Sequence, residues 1–391
     1  MRNIIATLLA ALYCSFAGLS NSETVVPSAD YSLPSLSQET LDRIGETIGN
    51  SRIVALGEAT HGTKEETYLR AQIVKHLVTQ KGFTILAIED QVANAFTVNA
   101  QIDDVNSDAD RMLRSLVFWP WHNKELAKLL KWAHENKTGQ SPFNFRLMGF
   151  DTQVPVSGGI RLNPFIKETG IRFLSVGEKY NKKIEIEDFD GDPIAASDTV
   201  IEFIKSRALE EELLLCAHAI REHYLQRAKR QSREQGMANM VNKITDLNPN
   251  SKVIMWGHNV HFSKKSDLPN SSVESLGYHL SQFYGEDYFV LGLAVGSGTY
   301  RAIDLEAKKN QENEIPMPPQ SSLESKLSGI TETPIFIEKE DFPTEVTRQW
   351  LPGSMAHPKQ FYDRDIHNDY DALLWIPHVT ASEFIDYDNK E

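Results

Sequence analysis

The feature that most constrains the fold is a repeated alternation of short apolar runs with longer amphipathic segments. Residues 51–56 form a β-branched, apolar run that predicts a buried strand, and residues 83–88 predict a second strand. The segment between them has an N-cap residue, Thr63, with Glu66 three positions later, which predicts a capping box and a helix to about Gln80. Gly82 follows this predicted helix and is a residue type that commonly ends helices. This βαβ unit predicts that the two strands are parallel.

The alternation continues along most of the chain. Further strands are predicted at 143–149, 251–256, 288–294, 334–338 and 372–377, and helices at 39–48, 123–136, 194–231 and 232–247. Residues 160–192 are less regular and predict a lobe or hairpin, and the prolines and polar residues of 308–322 predict a loop. The expected fold class is α/β, with a mostly parallel central sheet flanked by helices on both faces and a helical insertion or lobe.

The first 22 residues are typical of a signal peptide. Arg2 supplies a positive start, residues 4–16 are apolar but short for a bilayer span, and small residues follow. We therefore expect export to the periplasm or secretion, with no stable membrane anchor after cleavage; an uncleaved anchor is the alternative. Cys14 would leave with the signal, so Cys216 would be alone in the mature chain and could form no internal disulfide.

Composition narrows the class of partner. A hydrophobic fraction of 41% and a charged fraction of 24% are globular values. The formal net charge is −14 at pH 7, and a surface of that sign repels phosphate backbones. We therefore expect no nucleic acid partner and look for a small-molecule site.

Ionisable side chains follow four of the predicted strands at the point where each strand ends. In an open parallel sheet, ligands bind outside the carboxyl ends of the strands. Such a sheet would gather these side chains at one rim, where Glu and His can support acid–base chemistry. One carboxylate at a strand end is commonly structural, but four strands in succession favour a site. The residues concerned are Glu58, His61, Glu89, Asp151, His258 and His261.

The turn 57–62 has the most specific features. His61 lies just before the helix that Thr63 caps, and a helix N-terminus offers free N–H groups and a positive dipole end. That environment suits a carboxylate or a developing oxyanion, and we expect it to lower the pKa of His61 and keep the imidazole neutral. Gly57 and Gly62 permit a tight or positive-φ backbone on either side.

Arg70 lies about two turns into the same predicted helix. A surface ion pair is the plain interpretation of such a residue. The functional interpretation is an anchor for Glu58, Glu89 or a substrate oxygen, because a guanidinium binds carboxylates strongly.

These segments resemble the erythromycin esterase family. The most specific matches are the run IVALGEATHG at 53–62 and the run MWGHNVH at 255–261, and the similarity extends to Arg70 and to LAIE at 86–89. It also includes FWPW at 118–121, MGFD at 148–151, REQGMA at 233–238 and YDALL at 370–374. The order and spacing fit, and the resemblance covers nearly all of residues 23–391, which we expect to form a single catalytic domain.

The resemblance implies a hydrolase that opens a macrolide lactone with water. The turn histidine, His61, corresponds to the family's proposed general base. The implied catalytic set is His61, Glu58, Glu89, Arg70 and His258, and the expected substrate contacts are His261, Asp151, Arg233 and Trp121. The match in catalytic residues supports hydrolysis more strongly than it supports any one substrate.

The hypothesis from the sequence is metal-independent hydrolysis of a small-molecule ester or lactone, without a cofactor. His61 takes a proton from water, Glu58 or Glu89 orients His61, and Arg70 holds those carboxylates or the oxyanion. His258 positions the substrate or protonates the leaving alkoxide.

Two alternatives stay open at this point. The same Glu and His side chains are plausible ligands for a divalent metal, which would make the protein a metal-dependent hydrolase. The chain could also be an exported binding protein that keeps the fold without catalysis.

Overall fold

The central strand of the sheet is β1, Ile53–Leu56, whose four apolar residues are all buried. In the computed structural model, which describes residues 33–139, 143–177, 182–304, 306–356 and 360–385, β1 pairs in parallel with two neighbours, β6 (Lys252–Trp256) and β7 (Tyr288–Asp304). The helix Lys64–Gln80 follows β1, and Gly82, at φ +73°, ends it before β2, Phe83–Ile88. β1 and β2 share the predicted direction, but β6 lies between them.

The main sheet has the order β3-β2-β6-β1-β7-β13-β9, with β8 and β11 paired to the far part of β7. All neighbours from β3 to β13 are parallel, and β9 is an antiparallel edge strand. The remaining strands of the described chain are β3 (Arg146–Gly149), β4 (Phe173–Val176), β5 (Lys183–Ile186), β8 (Lys309–Glu314), β9 (Ile335–Glu338), β10 (Thr347–Trp350), β11 (Met355–Ala356), β12 (Phe361–Arg364) and β13 (Ala372–Val379).

Helices cover both faces of this sheet, as the sequence predicted. Besides Lys64–Gln80, the α-helices of the described residues are Gln38–Ile48, Val92–Asp103, Ala109–Arg114, Lys124–Lys137, Val156–Leu162, Pro193–Ser206, Glu211–Arg227, Arg233–Leu247, Asn259–Phe262, Leu276–Tyr284, Leu323–Leu327 and Ile366–Asp369.

The two faces follow from the period of two in each strand. Ile53 and Ala55 pack in one core with the helices between residues 193 and 284. Val54 and Leu56 point the other way, into a second core with the helices at 38–48, 64–80 and 124–137. A strand buried on both faces must be apolar at every position, which explains why β1 lacks polar alternation.

The two segments that the sequence predicted to be irregular have different structures. The region predicted as a lobe or hairpin contains an antiparallel hairpin, β4 with β5, in the helix-rich connection between β3 and β6. The loop predicted over 308–322 is partly wrong, because β8 pairs antiparallel with β7 from Asp304 to Thr299. β8 reads KNQENE, so it has no apolar alternation, and its pairing depends on the unusual length of β7.

The predicted signal peptide and Cys14 lie outside the described residues, whereas Cys216 is buried as a free thiol. The described helices include none whose length and apolarity would let it span a bilayer.

Candidate active site

The register of the sheet brings the predicted site residues to one rim. Gly149, Ile88, Trp256 and Leu56 lie side by side across β3, β2, β6 and β1. The chain leaves each of these strands at the same level, so the residues that follow converge there. Those residues are Asp151, Glu89, His258 and Glu58.

The first cluster joins Glu58, His61 and Arg70. One carboxylate oxygen of Glu58 bonds Nδ1 of His61, and the other accepts from Nη2 of Arg70. Glu58 is 2% exposed. Burial opposes its charge, but Arg70 and His61 outweigh burial and lower the pKa of Glu58 to about 2. Glu58 is therefore an ionised carboxylate held between a cation and an imidazole.

The expected direction for the pKa of His61 is wrong. Burial lowers it, but the adjacent carboxylate of Glu58, with a smaller contribution from Glu89, raises the pKa of His61 above its ordinary value. A bonded carboxylate stabilises the imidazolium more strongly than the helix dipole destabilises it. The side chain is 12% exposed, so the ring reaches the rim while its Nδ1 edge stays buried against Glu58.

Glu66 has a role that the capping-box prediction described incorrectly. Thr63 is the N-cap residue, but its side chain makes no capping hydrogen bond; its hydroxyl donates to Glu66 at 2.8 Å. The other oxygen of Glu66 accepts from the backbone N–H of Ala59 at 2.7 Å. Burial raises the pKa of Glu66 to about 7. Glu66 thus fastens the turn that carries Glu58 and His61.

The second cluster is built on Arg233. Its guanidinium donates to Glu89 at 2.8 Å and to Asp151 at 3.0 Å. Although burial opposes the charge, Asp151 and Glu89 raise the pKa of Arg233. Oε2 of Glu89 is buried and has no hydrogen-bond partner within the described ranges.

His261 stands between two carboxylates. Its Nδ1 lies 2.8 Å from Glu234, and its Nε2 lies 3.4 Å from Glu89. Burial lowers the pKa of His261, but Glu234 and Glu89 outweigh burial and raise it to about 10. His261 is therefore a cation at neutral pH. The sequence interpretation did not assign Glu234 to the site, although Glu234 follows Arg233 at a helix start in the run REQGMA at 233–238.

His258 links the two clusters. Its ring centroid lies 5.3 Å from that of His61 and 6.4 Å from that of His261. Its Nε2 lies 2.8 Å from the carbonyl of Ala59 and donates to it. Burial, aided by the neighbouring histidines, lowers the pKa of His258 to about 3. A neutral ring with a committed N–H favours the positioning role over proton donation to a leaving group.

Trp121 lies on the opposite wall of a crevice next to the first cluster. It follows β2 in the chain, ends a short 3-10 helix, and donates from Nε1 to the carbonyl of Glu89 at 3.4 Å. Its ring meets Trp256 edge-on at 6.4 Å. The crevice is a narrow gap that leaves no room for a water molecule. It is lined by Glu58, His61, Thr67, Arg70, Pro120, Trp121, Asn123, Leu126 and Trp256.

The glycines of the turn are required by close packing. Neither Gly57 nor Gly62 has positive φ. A Cβ on Gly57 would lie 2.0 Å from Oδ1 of Asn259, whose side chain bonds both backbone groups of Leu293. A Cβ on Gly62 would lie 1.9 Å from the carbonyl of Arg301. Side chains at either position would push the turn away from the sheet.

The carboxylates of the site are paired with cations and histidines. Across the described part of the chain, no three His, Cys, Asp or Glu side chains are grouped in a way that could hold a metal ion. All nine residues predicted for the site lie in the two linked clusters or on the adjoining crevice wall.

Comparison with known proteins identifies the family of this chain. A protein described as a "putative hydrolase", YbfO of Bacillus subtilis, is 21% identical over 89% of this chain and 88% of its own length. The erythromycin esterase type II of Escherichia coli is 22% identical over 86% of this chain and 92% of its own. A mutant of the erythromycin esterase EreC, solved in an open conformation, shares the fold with a TM-score of 0.65 at 16% identity, over 90% of this chain and 96% of that one. The erythromycin esterase family model matches residues 78–162 and 199–379, which is more than half of the chain, and the protein therefore belongs to that family.

Proposed function

We propose that this protein hydrolyses a carboxylic ester or lactone of a small molecule by direct attack of a water that His61 activates. Family membership supports a hydrolase. The observation that carries the finer proposal is the chain Arg70–Glu58–His61, in which a buried cation fixes a carboxylate and the carboxylate fixes an imidazole. That arrangement supports His61 as a general base with a set orientation.

The tautomer of His61 follows from its partner. Because Glu58 is ionised, Nδ1 of His61 carries the proton and donates it to the carboxylate, so Nε2 holds the lone pair. When Nε2 accepts a proton, the imidazolium is stabilised by Glu58 and by the charge of Glu89.

The reaction balances without a further reactant. Nε2 of His61 takes one proton from water while the water oxygen bonds the carbonyl carbon, and the carbonyl π pair moves onto its oxygen. The cations of His261 and Arg233 stand at the same rim and favour that negative charge. The intermediate then expels the alkoxide, which takes the proton from His61, and the products are an acid and an alcohol, joined in one molecule when the substrate is a lactone.

The test is a hydrolysis screen of the purified protein against macrolides and simple esters, with and without chelator. In the His61→Ala variant we expect kcat to fall by roughly 10²–10⁴-fold, with unchanged circular dichroism. His279→Ala, on a helix away from the turn, is the matched control. Wild-type turnover in His61→Ala would overturn the proposal.

The same screen separates the alternatives. Activity that a chelator abolishes and one metal ion restores would favour a metal-dependent hydrolase. Binding of panel compounds without turnover would favour a binding protein.

We also propose export of the protein to the periplasm or the medium. Arg2 and the short apolar run after it support this. Cell fractionation, with the mass of the mature N-terminus, tests it; a cytoplasmic protein that begins at Met1 would contradict it.

A further inference from the structure

The chain after β13 crosses from one wall of the crevice to the other. Residues 380–385, which we call the C-terminal strap, form isolated antiparallel bridges at both ends of their path: Thr63 with Ala381, and Asn123 with Phe384. Thr63 adjoins the turn that carries His61, whereas Asn123 lines the opposite wall of the crevice. The family match ends at residue 379, so the strap lies outside it.

On the first wall, the strap is bonded to the backbone of the catalytic turn. The N–H of Ser382 donates to the carbonyl of Gly62 at 2.9 Å, and the N–H of Lys64 donates to the carbonyl of Thr380 at 3.0 Å. Arg301 reinforces this contact, because its backbone N–H also donates to Gly62 and its side chain donates to the carbonyl of Ser382 at 3.0 Å. The residue adjacent to His61 is thus held by two separate donors.

On the second wall, the strap contacts the segment that presents Trp121. The N–H of Ile385 donates to the carbonyl of His122 at 2.8 Å. The ring of Phe384 stacks on His122 with centroids 6.1 Å apart and meets Trp119 edge-on at 6.5 Å. Phe384 therefore packs against the residues on both sides of the Pro120–Trp121 pair that lines the crevice.

A charge in the middle of the strap bridges the same two walls. Glu383 pairs with Lys64, at the start of the helix after the turn, and with Lys124, at the start of the helix after Asn123. The Glu383 side chain is 47% exposed, so these pairs are screened and add little stability. Backbone bonds and the Phe384 ring carry the main part of the connection.

We propose that the strap is a positioning segment of the active site, and that Phe384 holds the Trp121 wall against the His61 turn and so sets the position of His61. The kinetic test of this proposal rests on the proposed hydrolysis, whereas its structural test, by amide hydrogen exchange, does not. Phe384 lies outside the catalytic clusters and acts through His122 and Trp119.

The kinetic test compares Phe384→Ala, Phe384→Tyr and Phe283→Ala. Phe283 is an exposed aromatic residue on the helix Leu276–Tyr284 and serves as the matched control. Displacement of His61 on loss of the aromatic contacts should lower kcat by roughly 3–10-fold with a smaller change in KM, and the tyrosine should restore kcat because it keeps the ring. Unchanged kinetics in Phe384→Ala, or a loss that tyrosine does not rescue, would overturn the proposal.

The structural test needs no substrate. Amide hydrogen exchange of the full chain should show faster exchange at Lys64, Ser382 and Ile385 in Phe384→Ala, with the exchange of the sheet strands unchanged. Exchange at these three amides equal to that of the native protein would contradict the proposal, and so would a uniform increase across the sheet. Because this measurement is independent of turnover, a failure of the proposed hydrolysis leaves it decisive.

Discussion

The guanidinium of Arg70 lies over the indole ring of Trp256, with Cζ 4.2 Å from the ring centroid. The same guanidinium bonds Glu58, and both side chains are almost completely buried. A planar cation can stack on a ring and bond a carboxylate in one geometry, which an ammonium cannot reproduce. Arg70 is therefore tied to the site by shape as well as by charge.

Replacement of Arg70 should be costly even when its charge is kept. We expect Arg70→Lys to lower both kcat and the melting temperature. An ammonium cannot stack flat on the indole ring of Trp256 while it bonds Glu58, as the planar guanidinium does. Arg70→Met leaves Glu58 buried without its cation and should cost on the order of 3–5 kcal/mol of unfolding free energy. Arg43→Lys is the control, since Arg43 makes an exposed pair with Glu338 worth at most about 1 kcal/mol. Urea unfolding and steady-state kinetics check both, and a lysine variant with native kinetics would contradict the role of the stack.

The pH profile should report the base. In the proposed mechanism His61 acts as the neutral base. Its pKa is raised above 6.5, chiefly by Glu58, so kcat/KM should rise with pH to a plateau reached above 6.5. Glu58→Gln removes the carboxylate charge and should move the acid limb to lower pH while it lowers the plateau. Glu89 also raises the pKa of His61 and His261 lowers it. The acid limb of Glu58→Gln is therefore not expected to lie at the ordinary histidine pKa of 6.5. Profiles of kcat/KM from pH 5 to 10, with the exposed change Glu306→Gln as control, measure this shift. An acid limb that does not move in Glu58→Gln would refute the coupling.

Glu66 offers a test of the turn itself. Glu66→Gln keeps an acceptor for the N–H of Ala59 and a donor for the hydroxyl of Thr63, so we expect near-native kcat. Glu66→Leu leaves the N–H of Ala59 buried without a partner, which costs roughly 1–3 kcal/mol and should reduce kcat through the displaced His61. Kinetics and denaturation of both variants provide the comparison, and equal behaviour of the two would show that Glu66 does not hold the turn.

Stability should fall with pH because of a buried acid remote from the site. Burial raises the pKa of Glu324 from 4.5 to about 7, although Oε1 accepts from the N–H of Trp350 at 2.8 Å. The folded state therefore binds more protons than the unfolded state between pH 4.5 and 7, so the free energy of unfolding decreases as pH rises through that window, by up to about 3 kcal/mol.

Glu324→Gln should make that slope shallower and stabilise the protein at pH 8, whereas Glu306→Gln, an exposed change, should not. Glu66, whose pKa is also about 7, keeps part of the slope. Denaturant unfolding at pH 4.5, 6 and 8 measures how the free energy of unfolding changes with pH. The prediction fails if the slope is the same in Glu324→Gln.

The sequence was informative where the physics is local. Apolar runs of four to six residues identified β1, β2 and β6, and parallel strands that end in register bring Glu58, Glu89 and His258 to one rim. Periodicity cannot show which strands are neighbours, so the insertion of β6 between β1 and β2 was not foreseen.

The missed features depend on how the chain closes in three dimensions and not on a local residue pattern. The pKa of His61 could not be assigned, because the short bond to Glu58 depends on how the turn closes. β8 has a polar sequence and forms only because β7 extends past the sheet to pair with it. The strap contacts residues more than 250 positions earlier, and no local pattern in 380–385 indicates them.

The contact between Gly57 and Asn259 has a consequence for engineering. Asn259 fills the space that a Cβ at position 57 would need, and both of its polar groups are committed to Leu293. The two positions should therefore be epistatic: a larger residue at 57 becomes tolerable only together with a smaller one at 259. A library that randomises position 57 alone would return glycine, so an engineering search should leave this pair intact or change both members together.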